Sequence, residues 1–277
     1  MKKVFSIVAL FFIAVATVFA HSLFKSDGAS CKTVEVNGKI MRAEIEGSGD
    51  KTIVMLSSWN TDSPVDDFYP LCKRLSKDYR VVVLNYFGYC GSEITSDERT
   101  NKNMVEEIRS ALHQLNIEPP YILLPQSMSG LYSLYYANNY PSEVSGIIGI
   151  DMSLPQKQLE QWTEETFEKS KISSASSILN ISMINQWNKF YDNSKELKNV
   201  KYSSSLPVLA FLSTGEIDAV DEMVKNGKIK TSWIQMNDNM ITNDSIQSKK
   251  ILEGKCDLIY SQADDIVKNI KEFIESL

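Results

Sequence analysis

The chain has 277 residues, of which 43% are hydrophobic and 23% are charged, and this is the composition of an ordinary globular protein. Its formal net charge is -6, which argues against nucleic acid and against anionic lipid as the main partner. The length suffices for one large α/β domain, or for two small domains, with a sizeable buried core.

The first twenty residues have the pattern of an export signal. Lys2 and Lys3 precede an apolar run over residues 4–20, which ends in Val-Phe-Ala before His21. We interpret residues 1–20 as a secretory signal peptide or as an uncleaved N-terminal membrane anchor; a buried N-terminal helix is the alternative. The expected location is therefore outside the cytoplasm, either secreted or anchored on the outer face of the cytoplasmic membrane. Residues 21–32 are mostly small and polar, as in a linker.

The four cysteines are Cys31, Cys72, Cys90 and Cys256. In an oxidising compartment they permit three fully paired connectivities, and the sequence does not choose among them. The alternative is that most of them are reduced and partly buried small residues. Their spacing fits neither a zinc site nor a CxxC redox pair, and we expect neither a metal nor a cofactor.

The following residues alternate between strand and helix patterns. Strands over 33–36 and 39–45 flank Asn37-Gly38, the signature of a type I′ hairpin turn. Residues 52–56 form a solid apolar run, which indicates a strand buried on both faces of a parallel sheet. The elements predicted after it are a helix over 66–76, a strand over 80–84, a helix over 104–115, a strand over 121–124, a helix over 129–139 and a strand over 144–150. This alternation predicts a doubly wound parallel sheet.

A block without strands then interrupts the alternation. Residues 152–205 contain only amphipathic helical segments, which indicates a helical cap inserted after a strand. The elements predicted after the cap are a strand over 206–212, a mixed region over 216–248 with a strand candidate at 231–235, a last strand over 249–252 and a helix over 266–274. The expected fold class is therefore α/β, with residues 33–277 forming one domain around a mostly parallel, doubly wound sheet.

A sharp turn from strand to helix is predicted at Ser127. Residues 125–130, Pro-Gln-Ser-Met-Ser-Gly, follow the third buried strand and lead directly into a helix. Ligands in open parallel sheets bind beyond the carboxyl ends of the strands. A serine with small neighbours on such a turn is the mechanical requirement of a nucleophile elbow.

Two segments carry a resemblance to a known family. YILLPQSMSGLYSLYYANNYPSEVSGIIGID looks like the elbow strand, helix and next strand of the α/β-hydrolase superfamily, and KTIVMLSSWNTDSPVDDFYPLCKRLSKDYRVVVLNYFGYCGSE resembles the block before it. The likeness spans roughly residues 34–277 apart from the cap, and it is closest to small exported or membrane-anchored bacterial members. It implies the α/β-hydrolase fold and a serine ester or acyl hydrolase with Ser127 as the nucleophile. It also implies that the main-chain amides of Met128 and Trp59 form the oxyanion hole.

The sequence departs from the family pattern in two places. Pro125 and Ser129 stand where the usual G-x-S-x-G has glycine. The resemblance also implies a histidine in the loop after the last strand, and Cys256 stands at that place. A serine hydroxyl is a weak nucleophile that needs a base, and a thiol does not relay its proton as an imidazole does.

Neither histidine of the chain fits the role of base. His21 precedes the predicted domain, and His113 lies near the end of the helix that feeds the elbow strand. That strand has about five residues of roughly 3.3 Å each, so His113 is expected about 15 Å or more from Ser127. Lys255 is the remaining candidate, as half of a serine–lysine pair; beside a polar loop it is more typical of a solvated surface charge.

The acid of a triad has two candidates. By register with the family, Thr214 stands at the usual acid position, and Glu216 is only two residues away. Asp151 follows the strand over 144–150 and is the better-placed carboxylate. A structural role for Asp151, capping the next turn, is equally compatible with its position.

Two functional hypotheses follow from these residues. The first is a serine hydrolase of the ester or acyl type, with triad catalysis impaired or absent because Cys256 replaces the histidine. The second is a non-catalytic pseudo-hydrolase that binds a small apolar ligand in the capped pocket. Both predict a small-molecule partner, apolar or acyl, and no nucleic acid, with membrane association through the N-terminus if that segment is an anchor.

Overall fold

The computed structural model describes residues 30–176, 178–255 and 257–277. The predicted signal segment, most of the predicted linker and Cys256 lie outside the described residues. The chain enters the fold through an antiparallel pair, β1 (Ser30–Val36) and β2 (Lys39–Glu46). The turn between them has φ of 52° at Asn37 and 74° at Gly38, which confirms the predicted turn. Because Ser30 pairs with Ile45, the last residues of the predicted linker are strand.

The described residues form an eight-stranded sheet in the order β1-β2-β4-β3-β5-β6-β7-β8. The remaining strands are β3 (Thr52–Leu56), β4 (Arg80–Asn85), β5 (Tyr121–Pro125), β6 (Val144–Ile150), β7 (Val208–Ser213) and β8 (Gln247–Leu252). β2 is antiparallel to β4, whereas every pairing from β4 onward to β8 is parallel. This topology confirms the predicted mostly parallel, doubly wound sheet.

Helices cover both faces of this sheet. They are α1 (Pro64–Leu75), α2 (Asn101–Gln114), α3 (Ser129–Asn139), α4 (Pro155–Gln161), α5 (Glu164–Ser170), α6 (Ile181–Glu196), α7 (Thr214–Lys225), α8 (Trp233–Met240), α9 (Leu258–Ser261) and α10 (Ala263–Glu275). Within the described ranges, no helix is both long and apolar enough to cross a bilayer.

The central strands are buried on both faces because each face has its own layer of helices. In β3, Val54 and Leu56 belong to the core shared with α2 and α3, whereas Ile53 and Met55 belong to the core shared with α1 and α10. Burying one such side chain contributes roughly 1.5–3 kcal/mol. The solid apolar run of β3 in the sequence is the direct consequence of this two-sided burial.

The segment between β6 and β7 is helical, and its longest helix is anchored to the sheet domain. Gln186 of α6 accepts a hydrogen bond from the Tyr89 hydroxyl at 2.6 Å and donates one to the Tyr132 hydroxyl at 3.1 Å. The side-chain amide of Asn193 donates to the Arg99 carbonyl at 3.0 Å. These buried contacts fix α6 above the carboxyl ends of the strands.

One predicted strand is wrong. Residues 231–235 are not extended; α8 begins at Trp233, and the Ser232 side chain caps it by accepting from the Gln235 amide at 3.3 Å. The buried residues Trp233, Met236 and Met240 recur at helical spacing. The β-branched and aromatic residues at the start of this segment suggested a strand, but the cap and the apolar period favour a helix.

The cysteines within the described residues are free thiols. Cys31 is exposed, Cys90 is partly buried and Cys72 is buried, and burial raises the pKa of the Cys72 thiol. A fully paired connectivity of four cysteines requires one bond among these three. The structure therefore agrees with the alternative of reduced cysteines.

Candidate functional site

Ser127 lies on a strained turn at the carboxyl end of β5. Its φ is 50°, in the left-handed region, which costs a residue with a side chain roughly 1–2 kcal/mol. The surrounding chain holds this conformation: the Ser127 amide donates to the Ile150 carbonyl at 3.2 Å, and the Ser127 carbonyl accepts from the Ser153 amide at 2.7 Å. To the other described residues, Ser127 forms its hydrogen bonds through its main chain. The hydroxyl is thus presented by a rigid elbow and is not used to build it.

The contacts of Ser129 and Gly130 explain why the elbow departs from the usual G-x-S-x-G pattern. The buried Ser129 hydroxyl donates to the Leu56 carbonyl at 2.6 Å and accepts from the Gln126 amide at 3.0 Å, which joins the ends of β3 and β5. The close approach that requires glycine occurs one residue later, at Gly130. A Cβ added there would lie 2.8 Å from the Met152 Cβ and 2.8 Å from the Ser153 carbonyl oxygen. The Ser129 side chain therefore connects the elbow to the end of β3, and the absence of a side chain at Gly130 allows α3 to pack against the end of β6.

The two amides expected to form an oxyanion hole are both at the site. Trp59 and Met128 line the same cavity as Ser127. Neither main-chain amide donates a hydrogen bond to a residue that the structure describes. The Met128 amide also stands at the N-terminus of α3, where the helix dipole favours negative charge. These donors are available for an anionic oxygen.

A cavity of about 740 Å³ opens on Ser127 from the side of the cap. Its floor is formed by the elbow and the loop after β3, and its upper wall by aromatic side chains of the cap segment. The aromatic residues that line it are Trp59, Trp162, Trp187, Phe190 and Tyr260. The acidic residues that line it are Asp62, Asp66, Asp67 and Asp257. Cap and elbow together thus form one chamber for a small molecule.

A second cavity, of about 530 Å³, adjoins Ser127 on the side where a triad acid and base are expected. Asp151, Glu216 and Lys255 line it, and Ser127 and Lys157 line both cavities. The structure therefore brings Ser127, both predicted carboxylates and Lys255 to one place. It adds Lys157, which the sequence did not single out because one lysine in a short helix carries no motif.

Asp151 has a main-chain partner. Its φ is 40°, and its Oδ1 accepts a hydrogen bond from the Ser213 amide at 2.8 Å. Burial raises the pKa of Asp151 above its usual value, and the charge of Glu216 raises it further. The bonds from Ser213 and the charge of Lys157 act in the opposite direction. Asp151 is thus a half-buried carboxylate that joins the ends of β6 and β7.

Glu216 is engaged in an ion pair. Its carboxylate contacts the Lys157 ammonium, and its amide is bonded to the Ser213 hydroxyl at 3.0 Å at the start of α7. The Lys157 nitrogen also lies 5.2 Å from the centre of the Trp233 ring, within cation–π range. Lys157 and Glu216 are therefore engaged with each other.

The loop expected to carry a histidine is tied to the start of α7. The Gly254 carbonyl accepts from the Gly215 amide at 2.8 Å, and the Gly254 amide donates to the Thr214 hydroxyl at 3.1 Å. Lys255 is exposed beside it, as expected of a solvated charge. Cys256 lies outside the described residues. Thr214, the register position of the acid, serves this loop contact instead.

No imidazole reaches the site within the described ranges. His113 is exposed in the last turn of α2, before β5 begins and thus at the opposite edge of the sheet from Ser127. The expected position of His113 on the helix surface is confirmed. His21 lies outside the described residues. In the same ranges there is no group of three or more histidine, cysteine, aspartate or glutamate residues that could hold a metal ion.

Comparison with known proteins agrees with this architecture. A family model described as alpha/beta hydrolase fold matches residues 51–170. The uncharacterized protein YbdG of Bacillus subtilis (strain 168) is 35% identical over 164 residues, which cover 57% of this chain and 50% of that protein. The match thus spans about half the length of this curated relative.

Solved structures show the same fold at low sequence identity. A bacterial membrane phospholipase A superposes with a TM-score of 0.66 at 16% identity, covering 100% of this chain and 99% of its own. The Cif epoxide hydrolase from Acinetobacter nosocomialis gives 0.68 at 13% identity, covering 90% of both chains. An epoxide hydrolase from Vigna radiata gives 0.65 at 14%, covering 91% of this chain and 100% of its own. The match of residues 51–170 to the family model and this sheet topology show that the chain has the α/β-hydrolase fold.

Proposed function

We propose that the protein is a serine ester or acyl hydrolase by type, with Ser127 at the nucleophile position and with triad catalysis impaired or absent. The observation that carries the proposal is the elbow itself. Ser127 is held at φ 50° and lines both cavities. Trp59 and Met128, whose main-chain amides have no acceptor among the described residues, line the larger one. A strained backbone that costs stability at such a place is typical of a functional site.

The geometry supports one half of acyl transfer. In that reaction the Ser127 oxygen bonds to a carbonyl carbon, the carbonyl oxygen becomes anionic, and the alcohol or amine then departs with a proton. The amides of Trp59 and Met128 would stabilise the anionic oxygen, a contribution of about 3–4 kcal/mol per donor in known cases. The serine proton still needs an acceptor.

Acyl transfer also requires a group that accepts the proton of the Ser127 hydroxyl. Among the described groups in the two cavities, Lys157 and Glu216 neutralise each other, and Asp151 accepts from the Ser213 amide. Loss of one triad member costs on the order of 10⁴–10⁶ in kcat, and an oxyanion hole with binding alone retains roughly 10³–10⁴ over water. We therefore propose slow acyl transfer at Ser127.

The test is covalent labelling with a fluorophosphonate, which reports on the nucleophile directly. We expect labelled Ser127 in the peptide map of the wild type, loss of the label in Ser127→Ala, and full labelling of the matched control Ser110→Ala on α2. Equal, slow labelling of all three proteins would reject Ser127 as a nucleophile.

A non-catalytic binding protein is the second candidate, and the aromatic wall of the larger cavity favours it. Trp59 and Trp187 have ring centres 5.2 Å apart, and Trp162 lies 6.4 Å from Trp187. Such a wall suits a small apolar ligand whether or not chemistry follows. Ligand binding by the wild type together with absence of Ser127 labelling is the result expected for this candidate.

We also propose that the chain is exported and acts outside the cytoplasm, either secreted or anchored to the membrane through its N-terminus. The support is the sequence of residues 1–20, with its basic start and apolar run. Cell fractionation combined with N-terminal sequencing of the mature protein tests this. Recovery of the chain with Met1 intact in the cytoplasmic fraction would contradict it.

A further inference from the structure

We propose that the larger cavity selects small molecules that carry a positive charge, of the alkylated ammonium class, next to an ester or acyl group. The carboxylates of Asp62 and Asp67 and the rings of Trp162 and Trp187, which line this cavity, would determine the specificity. The proposal rests on the proposed function only in placing the ligand's acyl group at Ser127. It differs from the apolar ligand suggested by the sequence in requiring a charge.

Three tryptophan side chains, Trp59, Trp162 and Trp187, line the cavity. The Trp59 indole N–H donates to the Met183 carbonyl at 2.8 Å, and the Trp187 indole N–H donates to the Ser170 carbonyl at 3.1 Å. The polar edges of these rings are therefore occupied and their orientation is fixed. Trp162 packs against Trp187 with an interplanar angle of 86°. Ring faces carry a negative quadrupole, and a cation within about 6 Å of the ring centre is attracted to it.

Several carboxylates also line the cavity. Asp62, Asp66 and Asp67 line the cavity on the loop after β3 and the start of α1. The Asp67 carboxylate accepts a hydrogen bond from the Thr61 hydroxyl. Burial raises the pKa of Asp67, and the charges of Asp66 and Asp62 raise it further. These carboxylates are close enough to repel one another, and a cation between them and the rings would relieve that repulsion.

The lysine of the cavity does not balance this charge. Asp62, Asp67 and Asp257 line the larger cavity together with Lys157. Lys157 is already paired with Glu216 of the second cavity. The field in the larger cavity is therefore negative, which attracts cations and disfavours anionic ligands. A neutral apolar ligand would gain binding free energy from contact with the aromatic rings but not from the carboxylates.

The carboxylates and the tryptophan rings together predict a higher affinity for a charged ligand than for a neutral one. A trimethylammonium ester should bind roughly tenfold more tightly than the neutral ester in which a carbon atom replaces the nitrogen, because the two differ in charge and hardly in shape. The preference should fall as salt is added, because Asp62 is exposed to solvent.

The test uses butyrylcholine and its neutral carbon isostere as probes. Binding is measured by calorimetry to the full-length Ser127→Ala protein, in which turnover does not interfere. We expect the preference for butyrylcholine in this background, and its loss on adding either Trp162→Leu or the pair Asp62→Asn and Asp67→Asn. The matched control is the pair Asp50→Asn and Glu118→Gln, which removes two exposed charges before β3 and β5, at the opposite edge of the sheet.

The outcomes are separable from those for the proposed function. Equal affinity for the two probes, or a preference that survives the paired Asp62 and Asp67 substitutions, overturns the proposal. Thermal melts of each variant show whether it is folded, and the asparagine at 67 keeps the acceptor for Thr61. Absence of fluorophosphonate labelling with the preference intact would reject the nucleophile and leave the cation site standing.

Discussion

Asp151 and Ser213 are joined by a hydrogen bond of 2.8 Å from the Ser213 amide to Asp151 Oδ1. The bond links the ends of β6 and β7 beside the elbow. Asp151 and Ser127 both have a backbone in the left-handed region, with φ of 40° at Asp151 and 50° at Ser127. The carboxylate that the sequence offers as a triad acid therefore has a structural partner, and its two roles can be separated by substitution.

Asp151→Asn should raise the melting temperature at neutral pH. The raised pKa of Asp151 means that the folded state holds its proton more tightly than the unfolded state. The stability contributed by this group is present below its unfolded pKa of about 3.9 and is lost as the pH rises through the raised folded value. Asparagine keeps the oxygen acceptor without the charge. The gain should be visible in thermal melts at pH 7 and should vanish in melts below about pH 4.

Asp151→Ala is the contrasting variant. It removes the acceptor and leaves the Ser213 amide, in a residue only 1% exposed, without a partner, which costs about 1–3 kcal/mol. Equal melting temperatures for the alanine and asparagine variants would contradict a structural role for the carboxylate oxygen.

Gly130→Ala should loosen the elbow. The new Cβ would meet the Met152 Cβ and the Ser153 carbonyl at 2.8 Å, and such overpacking costs typically 1–3 kcal/mol. We expect urea denaturation to show this loss, together with reduced labelling of Ser127. Gly227→Asn is the control, because Gly227 has a φ of 68° and open space around its Cβ position, and asparagine tolerates that conformation. A similar small loss in both variants would mean that α3 does not need glycine here.

Glu107→Gln should destabilise the fold by several kcal/mol. Arg99 and Glu107 form a two-pronged ion pair at 2.7 and 2.8 Å, with side chains 1% and 3% exposed. Removing one partner leaves a buried guanidinium unpaired, which typically costs 3–5 kcal/mol. Because the Arg99 carbonyl holds Asn193 of α6, we also expect faster proteolysis of the cap.

The control for this pair is Asp264→Asn. Asp264 pairs with Arg74 at 2.7 Å, but its side chain is 88% exposed, and such surface pairs contribute about 0–1 kcal/mol. Urea denaturation that gives the same loss for Glu107→Gln and Asp264→Asn would show that burial of the ion pair has no consequence.

Under the proposed function, Cys256→His should increase hydrolysis of a short-chain nitrophenyl ester by at least about tenfold, because an imidazole at this position would act as the general base. The chain neighbours of position 256 support the choice: Lys255 lines the second cavity and Asp257 the first. Cys256→Ser is the control that removes the thiol without adding a base. Rates that are the same in the histidine and serine variants would count against the register that placed Cys256 at the histidine position.

Much of the framework could be predicted because its signals are local. The buried strands are apolar runs, the Asn37-Gly38 turn has its own chemistry, and the helix after Ser127 was predicted at its observed bounds, Ser129–Asn139. The prediction was wrong at residues 231–235, where residue types that favour strands open a capped helix. There a local preference was overridden by capping and by burial of one helical face.

The sequence by itself determined the strand order along the chain, the elbow at Ser127 and the absence of a histidine from its expected loop, because each depends on neighbouring residues. Only the tertiary structure decided which charges meet at the site. Lys157 of α4 and Glu216 of α7 are 59 residues apart and form an ion pair, and Asp62 shares a cavity with Trp162 and Trp187. Such pairings depend on how helices pack above the sheet, and helix periodicity does not encode which helix lies beside which.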